Sequence, residues 1–370
     1  MNILHIINDL GAGGAQRVLH NITKKESNNS HVIFVLSGTG YYSKFWDSSN
    51  LTIFYFNMNS FNFIFALTSI HRIVKKHQID VIQTWLYISD LVGIIYSLFN
   101  PKIKLFWNIR NGLVNSKVLS LASLFAVKIC SFLSFLPTKI ICVSKKSIAY
   151  HHGLGYSLKK FVLIHNIVDT DIFKPQNGAE FSENMRSVKF GVVARFDIQK
   201  GHENLFKALS FLDPRSMDIE IYLMGYDMVK ENKSLMELLE SSNVQFKVHF
   251  EGLKNEIEDI VAFYNKLDYH ISPSISEAFP NAVAESLSCG VPNIVTDVGE
   301  SSYILGDCGW VVPASNERAM AKAIKMAYKE FTDDKTEYLK KREKTRSRII
   351  ANFREEEIFA KYNDCWKSKE

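Results

Sequence analysis

Ser272-Pro-Ser-Ile-Ser-Glu-Ala-Phe-Pro-Asn-Ala-Val-Ala-Glu-Ser-Leu-Ser-Cys-Gly290 is the stretch on which the fold turns. An apolar run, Tyr269–Pro273, leads into it as a strand. A loop then carries Glu277, a helix starts at about Pro280 and covers Asn281–Cys289, and Asn293–Thr296 is the next strand. Strand, loop, helix and strand in such close order form a βαβ unit of a parallel sheet. Proline suits a first helical turn, and the backbone N–H groups at a helix start bind anions. The backbone at Phe279, Pro280 and Asn281 is therefore a candidate for holding a diphosphate. Glu277, just before the helix, is placed to accept hydrogen bonds from sugar hydroxyls. Glu285, one to two turns in, is placed to take both hydroxyls of a ribose. Ordinary surface carboxylates on a helix would give the same letters.

Working outward, Val192-Val-Ala-Arg-Phe-Asp-Ile-Gln-Lys-Gly-His202 opens the same half of the chain. A strand over Val188–Ala194 delivers Arg195 to its carboxyl end, and Lys200 follows in the loop before a helix over His202–Leu212. Ligands of open α/β sheets bind at the carboxyl ends of strands. Two cations there would neutralise charge developing on a departing diphosphate; a solvated Arg and Lys in a loop is the plainer alternative. Further strands are expected at Ile219–Met224 and Phe246–Phe250, and helices at Leu235–Ser241 and Ile257–Leu267. A charged helical tail runs from Asn316, with breaks near Thr332 and Asn352.

The first half alternates in the same way. Strands are expected at Ile3–Ile7, His31–Leu36, Thr52–Phe56, Val81–Thr84, Lys104–Asn108 and Lys139–Val143. Helices are expected at Ala15–Thr23 and ending at Ile70–His77. The 370 residues are too many for one ordinary α/β core and suit two. The expected organisation is a first lobe over 1–165, a junction over 166–187, a second lobe over 188–350, and a last helix over 351–370. Val118–Leu136 is almost wholly apolar apart from Lys128. A charge at its centre argues against a membrane span and for a buried or membrane-surface helix. Charge is split between the halves: residues 1–170 carry a net charge of about +11 and the rest about −6, and no acidic residue lies between Asp90 and Asp169. The basic half suits an anionic membrane face or a pyrophosphate-bearing substrate.

Taken together, the segments around Arg195 and Glu277 resemble glycosyltransferase family 4. The resemblance implies the GT-B fold: α/β, two Rossmann-like lobes facing a cleft. It implies that Arg195 and Lys200 bind the donor diphosphate, Glu277 the donor sugar and Glu285 the ribose. Gly11-Ala-Gly-Gly-Ala-Gln-Arg17 is similar to the family's N-terminal glycine loop, which makes Gly13 and Gly14 candidates for substrate contact. Asn166-Ile-Val-Asp169 with Phe173-Lys-Pro175 is similar to its inter-lobe segment. Base recognition by backbone is expected near Gly252 and Leu253. The chain departs from the family pattern in having Ala278 after Glu277, Glu300 and Tyr303 after Asp-Val-Gly, and Trp107-Asn-Ile-Arg-Asn-Gly112 where a histidine is common. Arg110 is the candidate to replace that histidine in an acceptor or phosphate contact.

The implied activity is metal-independent, retaining transfer of a hexose or N-acetylhexosamine from a UDP-linked nucleotide sugar to a lipid-linked saccharide acceptor, in surface polysaccharide biosynthesis. The nucleotide sugar is a co-substrate; no cofactor and no nucleic-acid partner are expected. A same-fold epimerase or phosphorylase, or a non-catalytic sugar-binding homologue, are the alternatives. Gly11-x-Gly13-Gly14 lacks the spacing of a dinucleotide fingerprint and the later acidic residue. Asp169-Thr-Asp171 spells a metal-binding pattern but falls in the junction, so a structural role is expected. His151-His152 are expected to be solvated or capping. Five scattered cysteines without ligand spacing point to a reducing compartment. The apolar start lacks a basic n-region and a cleavage site, so the expected location is cytoplasmic, peripheral on the inner face of the cell membrane.

Overall fold

The computed structural model describes residues 1–11, 13–40, 43, 51–59, 62–112, 120–176 and 187–368. The chain divides into two compact units, residues 1–167 with 355–370, and residues 168–354. The polar junction expected up to Ser187 falls largely on 177–186, outside the described residues.

The first unit runs β1 (Asn2–Ile7), α1 (Gly14–Lys25), β2 (Ser30–Val35), β3 (Thr52–Tyr55), α2 (Phe63–Lys76), β4 (Val81–Trp85), α3 (Tyr87–Phe99), β5 (Lys104–Ile109), α4 (Leu121–Leu133), β6 (Lys139–Cys142), α5 (Lys145–Gly153) and β7 (Phe161–Leu163). Its described strands form one parallel sheet in the order β3-β2-β1-β4-β5-β6-β7. A parallel sheet is covered on both faces, which is why these strands read as mostly apolar runs, with buried polar residues such as His5, Gln83 and Asn108 among them. Alternation along β1 separates the faces. Leu4 and Ile6 join a core with Ile70 and Ile73 of α2, Val92 and Tyr96 of α3, and Val127 and Cys130 of α4. Ile3 and Ile7 join the opposite core with Val18 and Leu19 of α1.

The second unit runs β8 (Val188–Val193), α6 (His202–Ser210), β9 (Ile219–Met224), α7 (Lys233–Ser241), β10 (Lys247–Gly252), α8 (Ile257–Lys266), β11 (Tyr269–Ser272), α9 (Asn281–Ser288), β12 (Asn293–Thr296), α10 (Ser301–Leu305), β13 (Gly309–Val312), α11 (Glu317–Asp333) and α12 (Lys335–Asn352). Its strands are parallel in the order β10-β9-β8-β11-β12-β13. The final helix, α13 (Glu355–Lys367), belongs to the first unit. Ile358, Tyr362 and Trp366 complete the core under α1, and the Trp366 indole donates to Gln83 Oε1 at 2.6 Å.

Several elements depart from the sequence expectation. No helix was expected between β4 and β5, yet α3 fills that interval. Its sequence, YISDLVGIIYSLF, is apolar on nearly every side and lacks the 3.6-residue contrast that marks a surface helix. The short β7, β13 and α10 were also not anticipated. Strand β10 starts and ends later than expected, closing on Gly252 at φ +63° after a register shift against β9. His151, expected to be solvated or capping, is buried. Its Nε2 pairs with the Tyr87 hydroxyl at 2.8 Å and its Nδ1 with the Ser147 carbonyl at 2.8 Å. Burial lowers its pKa, so it stays neutral as a polar core residue. Within the apolar run 118–136, Val118 and Leu119 lie outside the described residues. Of the rest, Leu121–Leu133 forms α4, and among the described residues no helix is long and apolar enough to cross a membrane.

Candidate functional site

In the second unit β8 lies between β9 and β11, so the chain leaves the sheet in opposite directions on either side of it. Such a switch point opens a crevice at the strands' carboxyl ends. The loops after β8 and β11 flank it. Asp197 starts the β8 loop: its Oδ1 accepts from Gln199 N–H at 2.8 Å and folds Ile198–Lys200 into one 3₁₀ turn. Gly201 then takes φ +66°, and a Cβ there would stand 2.1 Å from the Pro273 carbonyl oxygen. Only glycine meets both demands. Ile275 N–H donates to the Gln199 carbonyl at 2.7 Å, which pins the two loops together.

This packing brings Lys200 and Glu277 into contact. Lys200 Nζ lies 2.6 Å from Glu277 Oε1, both side chains being largely buried, and Ser274 Oγ donates to the same oxygen at 2.8 Å. Arg195 projects from the end of β8, about half exposed, with Nε 3.3 Å from Asp197 Oδ2. Its carbonyl accepts from His202 Nε2 at 3.0 Å. Burial lowers the His202 pKa and keeps that ring a neutral donor. One half-exposed cation and one largely buried cation thus share the crevice with a carboxylate whose acceptor oxygen is already oriented.

Behind Glu277 the chain is held from β12. Gly299, at φ +51°, lies so close that a Cβ would be 2.4 Å from the Ala278 carbonyl oxygen, and Glu300 N–H donates to that carbonyl at 3.0 Å. Helix α9 begins at Asn281, with Phe279 and Pro280 buried before it. Pro280 has no side-chain acceptor for the first-turn amides. Glu285 is buried and accepts from the Tyr264 hydroxyl at 3.2 Å. Gly252, at the end of β10, ties the β9 and β10 loops together: its carbonyl accepts from Gly225 N–H at 2.9 Å. Leu253 beside it is exposed. Gly201, Ser274, Tyr264, Gly225 and Gly299 were not singled out from the sequence. The glycines carried a signal, Gly225 and Gly299 standing shortly after a strand and Gly201 just before a helix, but the hydroxyls carried none.

In the first unit Gly13 and Gly14 lie at the start of α1, after β1. Gln16 Nε2 donates to Asp9 Oδ1 at 3.0 Å, and that oxygen also accepts from Gly11 N–H at 2.8 Å. A Cβ on Gly13 would meet Gln16 Oε1 at 2.4 Å. Arg110, at the end of β5, is engaged within its own unit. Its guanidinium bonds Asn166 Oδ1 and the Tyr362 hydroxyl and stacks 5.3 Å over the Trp85 ring. Asp169 Oδ1 accepts from the backbone N–H groups of Asp171 and Ile172, at 3.2 and 3.0 Å, and so turns the chain.

Comparison with known proteins agrees with this architecture. The family described as "Glycosyl transferases group 1" matches residues 187–330, and "Glycosyltransferase Family 4" matches residues 12–172. Protein CapJ of Staphylococcus aureus is 28% identical over 131 residues, 34% of this chain and 33% of that protein. A Campylobacter jejuni N-acetylgalactosamine-N,N'-diacetylbacillosaminyl-diphospho-undecaprenol 4-alpha-N-acetylgalactosaminyltransferase is 28% identical over 162 residues, 43% of this chain and 41% of that one. CapM, the S. aureus capsular polysaccharide biosynthesis glycosyltransferase, is 22% identical over 222 residues, 58% of this chain and 54% of its own. The matched segments thus span between a third and just over half of these relatives. Among solved structures, HepE of Anabaena in complex with UDP and glucose superposes with a TM-score of 0.81 over all of both chains, at 17% identity. A Rickettsia africae glycosyltransferase gives 0.82 over 99% and 98%, at 21% identity. These likenesses show the fold, the two-lobe α/β architecture of GT-B enzymes.

Proposed function

Because the chain belongs to glycosyltransferase family 4, we propose that it moves a hexose or N-acetylhexosamine, with retention, from a UDP-linked nucleotide sugar to a lipid-linked saccharide in surface polysaccharide biosynthesis. The observation that carries this reading is the meeting of Lys200 and Glu277 at the carboxyl ends of β8 and β11, with Arg195 beside them. The acceptor hydroxyl attacks the anomeric carbon on the face from which the diphosphate leaves. The bond to the diphosphate oxygen breaks with its electron pair, and that oxygen takes up the acceptor's proton. Arg195, Lys200 and the start of α9 at Phe279, Pro280 and Asn281 stabilise the leaving charge. Glu277 fixes the sugar and Glu285 the ribose, while Gly252 and Leu253 face the base.

Lys200 and Arg195 stand in for a divalent ion, and Asp169 is occupied in turning the chain. Gly13 and Gly14 let acceptor or donor approach the first unit. The engagement of Arg110 with Asn166 and Tyr362 makes it a positioning residue for that unit. A UDP donor is supported by HepE, which was crystallised with UDP. A polyprenyl-diphosphate-linked acceptor is supported by the name of the Campylobacter relative. The enzyme acts in the cytoplasm, on the inner face of the cell membrane.

A donor screen by thermal shift, followed by mass spectrometry and anomeric proton couplings of the product, tests the proposal. The true donor at 100 times its dissociation constant stabilises by about 2.7 kcal/mol. Nucleotide is released only when acceptor is present, and the activity persists in excess chelator. Nucleotide release or sugar isomerisation without acceptor would make this an epimerase or hydrolase. Loss on chelation with rescue by magnesium or manganese would refute metal independence.

A further inference from the structure

Helix α4 is apolar on almost every side: LASLFAVKICSFL. Its inner face buries Ala126, Val127 and Cys130 in the first unit's core. Its outer face is apolar as well. Leu121, Phe125, Phe132 and Phe135, the last just beyond the helix end, expose 85, 65, 79 and 57% of their surface. With Lys128 they recur at alternating steps of four and three residues, which is one stripe along a helix. Solvent-facing helix surfaces are normally polar, and a helix apolar all round is normally buried. Three phenylalanines and a leucine in line therefore call for a cover. α2 and α3 share the same face of the sheet, through Ile70, Ile73, Val92 and Tyr96, and expose Ile64, Phe65, Leu98 and Phe99.

Charge identifies that cover. From Leu91 to Val168 the chain has ten Lys and Arg and no acid. Asp90, just before this stretch, is fully buried against the Thr84 hydroxyl and presents no carboxylate on this surface. Lys128 sits within the stripe, where a lysine stem lies along apolar surface and its ammonium reaches for polar headgroups. The end of α4 abuts the segment after α5. Ser157 N–H donates to Ser134 Oγ at 2.8 Å, and the Tyr156 hydroxyl to the Val127 carbonyl at 3.3 Å. That segment continues with exposed Leu158 and Lys159 and then Lys160. A protein partner would match the apolar stripe alone. A stripe of aromatics fringed by lysines, with no acid in the surrounding sequence, matches the boundary between acyl chains and anionic headgroups.

We infer that the outward stripe of α4 is a membrane-insertion face, in which Leu121, Phe125, Phe132 and Phe135 enter the acyl boundary of an anionic bilayer while Lys128, Lys159 and Lys160 engage its headgroups. This rests on the peripheral location proposed above and names the element responsible. The test is flotation of the full chain with vesicles of phosphatidylcholine alone or with 30% phosphatidylglycerol (about a third of the lipid), at low and high salt. Wild type binds the anionic vesicles, more weakly at high salt. Phe125→Ser and Phe132→Ser each lower binding by about tenfold or more, and Lys159→Gln by about fivefold. Hydrogen exchange on the unmodified protein, with and without anionic vesicles, shows protection confined to 121–135 and its surroundings. No binding of wild type to either vesicle overturns the membrane reading itself. Binding that the α4 variants leave unchanged, or protection elsewhere than α4, overturns this inference alone. A dimer in solution that the Phe variants convert to monomer, with vesicle binding intact, makes the stripe a self-association face and also overturns it.

Discussion

The two units carry the same device and use it differently. Each is a parallel sheet whose first strand sits at the switch point, β1 between β2 and β4, and β8 between β9 and β11. Each follows that strand with a loop containing glycine and then a helix. In the second unit the neighbouring loops bring Lys200 against Glu277 and leave Arg195 half exposed. In the first unit the arginine at the end of β5 turns inward, to Asn166 and to Tyr362 of α13. A cation at a strand's carboxyl end thus belongs to a candidate site in one unit and is a brace in the other. What decides is whether a distant hydroxyl reaches it first.

The sharpest way to break this comparison is to remove the cations. Arg195→Ala and Lys200→Ala are each expected to lower turnover per folded molecule by about 100-fold, the scale of one preorganised donor to a leaving group; Arg195→Ala leaves the melting temperature little changed, while Lys200→Ala also lowers it by unpairing the largely buried Glu277. Near-normal turnover in both folded variants would leave the second unit with a surface loop and no site. Arg110→Met should behave in the opposite way. Removing a charged partner from two hydrogen bonds costs about 1.5–3 kcal/mol of stability, measured by urea unfolding, while turnover per folded molecule stays within about tenfold. A fall in turnover as large as that of Lys200→Ala, without loss of stability, would make Arg110 part of the site after all.

A finer cut runs within the second unit. Under the proposed assignment Glu285 holds the ribose, a part of the donor that does not react, so Glu285→Gln should raise the Michaelis constant and weaken free nucleotide about tenfold. Glu277→Gln should lower turnover and leave nucleotide binding nearly unchanged. Calorimetry on both variants decides, and the reverse pattern exchanges the two roles.

The smallest effect asks whether the units also share a weakness. Each holds a buried neutral histidine, His165 in the first and His270 in the second, lowered to about 4, chiefly by burial. The unfolded chain, titrating near 6.5, takes up protons that the folded state refuses. Stability is therefore unaffected above about pH 6.5 and falls between there and about pH 4, by up to about 1.4 kcal/mol per pH unit for each histidine. Denaturant titrations at pH 7, 6 and 5 should show this slope, reduced by one histidine's share in His270→Asn.

What could be read from the letters follows the same division. Strands buried on both faces, such as Val188–Val193 and Ile3–Ile7, announce themselves as apolar runs. Proline and glycine mark the turn into α9 and the loop before α6. Helix α3 did not announce itself, because burial on most sides erases amphipathic contrast. The Glu277 loop was legible from its own short strand–loop–helix spacing and its resemblance to the family motif, although its partner Lys200 lies 77 residues earlier in the chain. The fate of Arg110 was not, since Tyr362 follows it only after the entire second unit. Ser274 and Tyr264 were invisible for a simpler reason: a hydroxyl becomes a positioning group only through the carboxylate it meets in three dimensions.

The return of α13 to the first unit has a consequence for how the protein is made on the ribosome. The first unit emerges first, but the wall that Ile358, Tyr362 and Trp366 provide against Ile3, Ile7 and Trp85 is translated only after the whole second unit. At about 5–20 residues per second, the intervening unit takes on the order of ten to forty seconds to synthesise. Throughout that interval the nascent first unit carries an open apolar slot, with the Gln83 side chain lacking its indole donor. The slot closes only once residues 355–367 are available to dock as α13.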